Sequence, residues 1–64
     1  MNAIYLTTGQ AADYLGFKPA TLEKWRQENK GPKFHKLGGS VRYLQKDLDA
    51  FVAASLVEPT RGRR

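Results

Sequence analysis

The sequence predicts a mainly α fold with one small β-hairpin, and three observations predict it. Thr7 and Gln10 stand three apart at the head of an apolar-patterned segment, the spacing of a capping box. Pro19 and the pair Gly31-Pro32 bracket a second helical segment. Around Gly38-Gly39-Ser40 the pattern shifts from helical spacing to partial alternation, as two short strands about a tight turn require.

The elements follow in order. Ile4-Tyr5-Leu6 is a short apolar run, expected as an extended lead-in. Leu6 and Ala11 are placed as a hydrophobic staple around the cap. The first helix is predicted over Thr8 to Leu15, with Ala11, Ala12 and Leu15 on its apolar face and Gly16 as a left-handed cap. After the short connection Phe17-Lys18, the second helix is predicted from Pro19 to about Asn29, with Leu22, Trp25 and Asn29 on one side. Two short helices joined by a tight turn containing Gly form a helix-turn-helix pattern. Strands are predicted over Lys33–Leu37 and Val41–Tyr43. A third helix is expected from near Gln45, with Leu44, Leu48, Phe51, Val52 and Leu56 at helical spacing, all taken up in packing the domain. Asp47 near its start suits the helix dipole. The predicted organisation is therefore one domain over 1–56 and a disordered basic tail over 57–64, which holds Pro59, Gly62 and three arginines.

Composition narrows the function. A chain of 64 residues has room for one core, and at this size only about 60% of the unfolded surface is buried. There is no Cys and one His, His35, so neither disulfides nor a metal site is expected, and no cofactor. His35 reads as an exposed strand residue. No apolar stretch approaches the roughly 20 residues of a membrane span. The N-terminus lacks a basic region followed by an apolar run. The expectation is a bacterial cytoplasmic, nucleoid-associated protein with no membrane partner. Enzyme chemistry is not expected either. There is no Cys nucleophile and no phosphate-binding Gly-rich loop. Asp47 and Asp49, two apart on a helix, do not face each other.

Charge points to a polyanion. Eleven basic residues against six acids give a formal +5. From Lys18 to Lys46 eight basic residues face two acids, a local +6, whereas the first 17 residues carry only Asp13. A positive field concentrated on the middle of a small domain suits nucleic acid.

Three segments together carry a family resemblance. They are Tyr5-Leu6-Thr7-Thr8-Gly9-Gln10-Ala11-Ala12-Asp13-Tyr14-Leu15-Gly16, Pro19-Ala20-Thr21-Leu22-Glu23-Lys24-Trp25-Arg26, and Val41-Arg42-Tyr43 followed by Asp47-Leu48-Asp49-Ala50-Phe51. Over residues 5 to about 54 the chain resembles excisionase-type and AlpA-type DNA-binding domains of the MerR-like class. The resemblance implies a winged helix-turn-helix. Its second helix would enter the major groove, and its hairpin, the wing, would lie over the backbone or an adjacent minor groove. One position departs from the pattern: Lys18 stands where the family often has Ser or a similar cap, and a lysine cannot accept the helix N-terminal N–H bonds. Lys18 is instead a candidate phosphate contact.

Candidate contacts follow from the helical period. Ala20, Lys24 and Gln27 cluster on the side of the second helix opposite Leu22 and Trp25, and the resemblance places base-contacting residues at the same three positions. Lys can donate to guanine, Gln can pair bidentately with adenine, and Ala can meet a thymine methyl. Trp25 reads as a core residue rather than a base-stacking one. Thr21, Arg26 and Lys30 flank the reading face as phosphate candidates. On the wing, Lys36, Gly38, Gly39 and Ser40 are expected near the DNA backbone. Gly38 and Gly39 make the turn tight and allow close approach. The resemblance implies a phosphate contact for Arg42.

The expected function is that of an excisionase, a recombination directionality factor. Such a protein binds double-stranded DNA beside an integrase target, bends it and promotes excision of a phage or integrative element. Its expected partners are duplex DNA, further copies of itself on adjacent sites, and a site-specific integrase. A small AlpA-type transcriptional regulator is the alternative with the same fold. A protein-interaction adaptor without DNA is a third, and predicts no salt-sensitive duplex binding.

Overall fold

The computed structural model describes residues 3–58, and these form three strands and three helices. Helix α1 spans Thr8–Leu15. Thr7 caps it: its side chain accepts from the Gln10 N–H at 3.1 Å, and the Gln10 side chain accepts from the Thr7 N–H at 3.0 Å. At the other end Gly16 adopts φ 82°. The Phe17 N–H reaches the Ala12 carbonyl at 2.8 Å and the Gly16 N–H reaches that of Asp13 at 3.2 Å, a Schellman closure.

Helix α2 spans Pro19–Gln27, two residues shorter than predicted. Asn29, expected on its inner face, has left the helix at φ 57°. The Lys30 N–H donates to the Trp25 carbonyl at 2.9 Å and the Asn29 N–H to that of Arg26 at 3.2 Å. The same Schellman geometry thus closes both helices, and Asn replaces Gly because its short polar side chain tolerates the left-handed region.

The strands form one antiparallel sheet. Strand β1 (Tyr5–Leu6), β2 (His35–Leu37) and β3 (Ser40–Leu44) lie in the order β1-β3-β2. The N-terminal run is therefore more than a lead-in. Tyr5 pairs with Leu44 and Leu6 with Tyr43, and the Gln45 N–H extends the ladder to the Ile4 carbonyl at 2.9 Å. Strand β2 begins at His35 rather than Lys33, and pairs His35 with Arg42, Lys36 with Val41 and Leu37 with Ser40. Gly38 and Gly39, at φ 58° and 89°, supply the two positive angles of a two-residue hairpin turn.

Helix α3 spans Gln45–Ala54, directly after β3. Leu44 ends the strand and occupies the cap position, so it belongs to the sheet rather than to the apolar stripe of the helix. Asp47 lies in the first turn, as expected. The stripe is only partly used. Leu48 is fully buried and Phe51 half-buried, but Val52 stays 52% exposed and Leu56 lies beyond the helix at 69%. The expectation that α3 is used up in packing its own domain is therefore corrected. The helix is too short to carry Leu56 back onto the core.

The core consists of Ala11, Ala12, Leu22, Tyr43 and Leu48, with Leu6, Leu15, Trp25 and Val41 packed around it. The two alanines of α1 are fully buried, and Leu22, Tyr43 and Leu48 share their cluster. Trp25 is half-buried in an aromatic layer beside the core, edge-on to Phe17 (5.2 Å, 70°) and tilted against Phe51 (5.7 Å, 51°). Gly31, at φ 93°, closes this layer, and a Cβ there would come within 2.9 Å of the Trp25 ring.

Two stability predictions follow from this packing. Trp25→Ala is expected to cost about 3 kcal/mol or more, enough to unfold much of so small a domain; a cooperative thermal melt near the wild-type midpoint refutes it. Gly31→Ala should destabilise by about 1–3 kcal/mol through its positive φ and the Trp25 clash. Gly9→Ala, in a helix with open space around it, should instead stabilise by up to about 1 kcal/mol. Melting temperatures that fail to move in opposite directions would contradict this account.

Candidate nucleic-acid interface

Helix α2 is held by one side and free on the other. Leu22 is buried and Trp25 is half-buried, which fixes the rotation of the helix on the core. The 100° step then turns Ala20, Lys24 and Gln27 outward, and all three are exposed together with Glu23. The structure thus brings the three expected reading residues onto one face. Thr21 is half-buried at the flank of that face. Lys18 sits at the cap position in extended backbone with no side-chain capping bond, and the residue is exposed.

The hairpin register sorts the wing residues by face. Successive residues alternate sides, so His35, Leu37, Ser40 and Arg42 share one face and Lys36, Val41 and Tyr43 the other. Val41 and Tyr43 point to the core, and Lys36 continues their face at the exposed end. The two wing cations therefore stand on opposite faces of one narrow ribbon. Arg42 is half-buried and folds along its strand, its Nη1 donating to the Val41 carbonyl at 2.8 Å. At the tip, Gly38, Gly39 and Ser40 are exposed, and a Cβ on either glycine would meet nothing within 4 Å. His35 is exposed, as expected, with Nε2 at 3.9 Å from an Asp47 oxygen and its ring edge-on to Tyr5.

Arg26 departs from its expected place as a phosphate contact. Its guanidinium turns inward. Nη1 donates to the Tyr43 hydroxyl at 2.9 Å and to Thr8 Oγ1 at 3.2 Å, and the group lies 5.6 Å from the centre of the Phe34 ring. The reason is Tyr43. Its ring is buried, and its phenol oxygen needs a partner there. Helical spacing alone marks Arg26 as a flanking cation, because the acceptor comes from a strand 17 residues on.

Lys30 remains exposed but is paired with Glu28 at 3.3 Å, a surface contact worth about 0–1 kcal/mol. An open groove of about 450 Å³ separates the end of α2 from the wing, with Lys30 and Lys33 on its rim and Arg26, Phe34, His35 and Asp47 along its walls. Lys33 was not singled out from the sequence. Its place on this rim follows from the connection between α2 and β2.

Among the described residues no helix is long and apolar enough to cross a membrane. No curated protein matches the chain. A family model described as a helix-turn-helix domain matches residues 5–55, from the start of β1 to the residue after α3. That span contains the two-helix unit with its Gly turn, the exposed face of α2 and the glycine-tipped hairpin. The chain therefore belongs to the helix-turn-helix domain family, as a sequence-specific DNA-binding domain with a winged fold.

Proposed function

We propose that this protein is an architectural DNA binder of the excisionase kind, acting by binding and bending rather than by catalysis. The observation that carries the reading is a single convergence. The Ala20-Lys24-Gln27 face of α2 is exposed, and the same small domain carries a glycine-tipped wing that has cations on both of its faces. In this reading α2 enters the major groove, Lys24 and Gln27 meet base edges, and Ala20 packs near a thymine methyl. Lys18, Lys30, Lys36 and Arg42 neutralise phosphates, the Thr21 hydroxyl donates to one, and the tip at Gly38, Gly39 and Ser40 brings backbone close to the duplex.

Size argues for more than one copy. A single module of this kind buries roughly 600–1,000 Å² on DNA, too little for tight, selective binding at physiological salt. Copies on adjacent repeats gain affinity without a large protein interface. Phosphate neutralisation along one side of the duplex favours curvature, and curvature is what an integrase needs to bring separated arms together. Such a protein works in the bacterial cytoplasm, on the nucleoid.

Reading and anchoring should separate by mutation. Lys24→Ala and Gln27→Ala are expected to relax sequence preference, each at a cost of about 1–3 kcal/mol on the preferred duplex. Arg42→Ala should weaken all duplexes alike and lower the salt slope by about one unit. Titrations on preferred and scrambled duplexes at several salt concentrations measure both. An Arg42 variant with altered preference and full affinity reverses the assignment.

The architectural role predicts ladder-like gel shifts and a bend that grows with occupancy in a circular-permutation assay on the attachment region. Excision by the cognate integrase should fall when the protein is removed. A single unbent complex with excision unchanged leaves the transcriptional regulator as the function. Absence of salt-sensitive duplex binding leaves the adaptor.

A further inference from the structure

The reading helix and the wing are the two parts that touch DNA in the proposed function, and although both feed the same core, their backbones make little direct contact. Helix α2 packs on α1, whereas β3 packs on α1, α3 and its neighbouring strands. No extended backbone contact joins α2 to the hairpin. Their mutual angle therefore depends on α1 as an intermediary and on side chains that cross the gap.

Arg26 crosses it. The residue lies between Lys24 and Gln27 in sequence but points away from their face, towards the sheet. One guanidinium nitrogen holds two hydroxyls from two other elements: Tyr43 at 2.9 Å on β3 and Thr8 at 3.2 Å at the start of α1. The guanidinium lies 5.6 Å from the centre of the Phe34 ring, in the segment that enters β2, and Phe34 in turn tilts against Tyr43 at 6.1 Å. The Tyr43 ring is 1% exposed, so its hydroxyl is a fixed point rather than a mobile one. Tyr43 is also the neighbour of Arg42 on the wing strand.

We propose that Arg26 is a positioning residue that locks the wing to the reading helix at one angle through Tyr43, so that base reading and phosphate anchoring occur in register. The role rests on the DNA-binding reading above. Arg suits it better than Lys, because its planar fork offers fixed donor directions and an aromatic-stacking face at once. With the lock broken, each half still meets DNA, but the two halves no longer fit the preferred site together. Selectivity then falls more than charge-driven binding does.

The test uses the full chain and a duplex selected by wild-type protein from a randomised pool, with a scrambled duplex beside it. Tyr43→Phe keeps the buried ring and removes one acceptor. Arg26→Gln removes the lock and the charge, Arg26→Lys keeps the charge, and Arg42→Gln serves as the phosphate-contact comparison. Melting temperatures are measured first, and binding is compared at a temperature where every variant is folded. Tyr43→Phe and Arg26→Gln are each expected to lose about tenfold of the preference for the selected duplex, with the salt slope unchanged. Their combination should lose little more than either alone, since both break one interaction. Arg26→Lys should not restore the preference.

A salt slope lowered by about one unit in Arg26→Gln, with equal weakening on both duplexes and rescue by Lys, makes Arg26 a phosphate contact and overturns the lock. Tyr43→Phe with wild-type preference overturns it as well. Wild-type protein that binds no duplex overturns the underlying DNA reading, an outcome distinct from either.

Discussion

The burial of Tyr43 is the constraint on which this domain depends. In a chain of 64 residues there is one core, and the largest fully buried side chain in it belongs to a strand of the hairpin. Placing that ring against Ala11, Ala12, Leu22 and Leu48 ties sheet and helices into one body. It also carries a phenol oxygen into a nearly dry interior, where an unpaired hydroxyl is costly. The inward turn of Arg26 meets that need, and no buried polar side-chain atom lacks a partner among the described residues. The price of a large aromatic in a small core is thus a cation drawn away from the surface.

That withdrawal changes how the positive charge is arranged. Counting residues suggests a uniformly basic middle segment. The structure divides it into an inward guanidinium, an outward helix face with Lys24 at its centre, a rim of Lys30 and Lys33, and a wing with cations front and back. Glu28 offsets Lys30 at the helix end. Cations therefore stand both on the reading face and beside it, and Asp47 of α3 lines the same groove as Lys30 and Lys33. A polyanion that meets such a surface is guided by the rim and read at the centre.

What could be read from the sequence was local. The Thr7–Gln10 box, the Gly16 cap, Pro19 at the helix start and the Gly38-Gly39 turn each depend on residues within a few positions of one another, and all occur as expected. The outward face of α2 was equally legible, because helical period and two inner anchors, Leu22 and Trp25, determine it. Features that depend on distant partners were not. The pairing of β1 with β3 needs a register 37 to 39 residues long in sequence, from Leu6–Tyr43 to Tyr5–Leu44. The fate of Arg26 needs Tyr43. The exposure of Val52 and Leu56 needs the knowledge that α3 stops at Ala54. Asn29 was missed for a different reason. Its signal is local, an Asn two residues before Gly-Pro that tolerates positive φ, but it competes with a helical spacing that carries Leu22 and Trp25 on to Asn29.

The topology of the hairpin bears on how such a domain can diversify. Strand β2 is an edge strand whose sheet partner is β3, and the turn beyond it faces open space. Residues added in matched pairs at that turn would leave the core untouched. Because pleat direction repeats every two residues, two added to each strand would preserve which side chains face the core, and one added to each would invert the new tip. The span that the ribbon covers across a duplex can thus drift independently of the residues on α2. A lineage could retune reach while keeping its reading head, or exchange the reading head while keeping its reach.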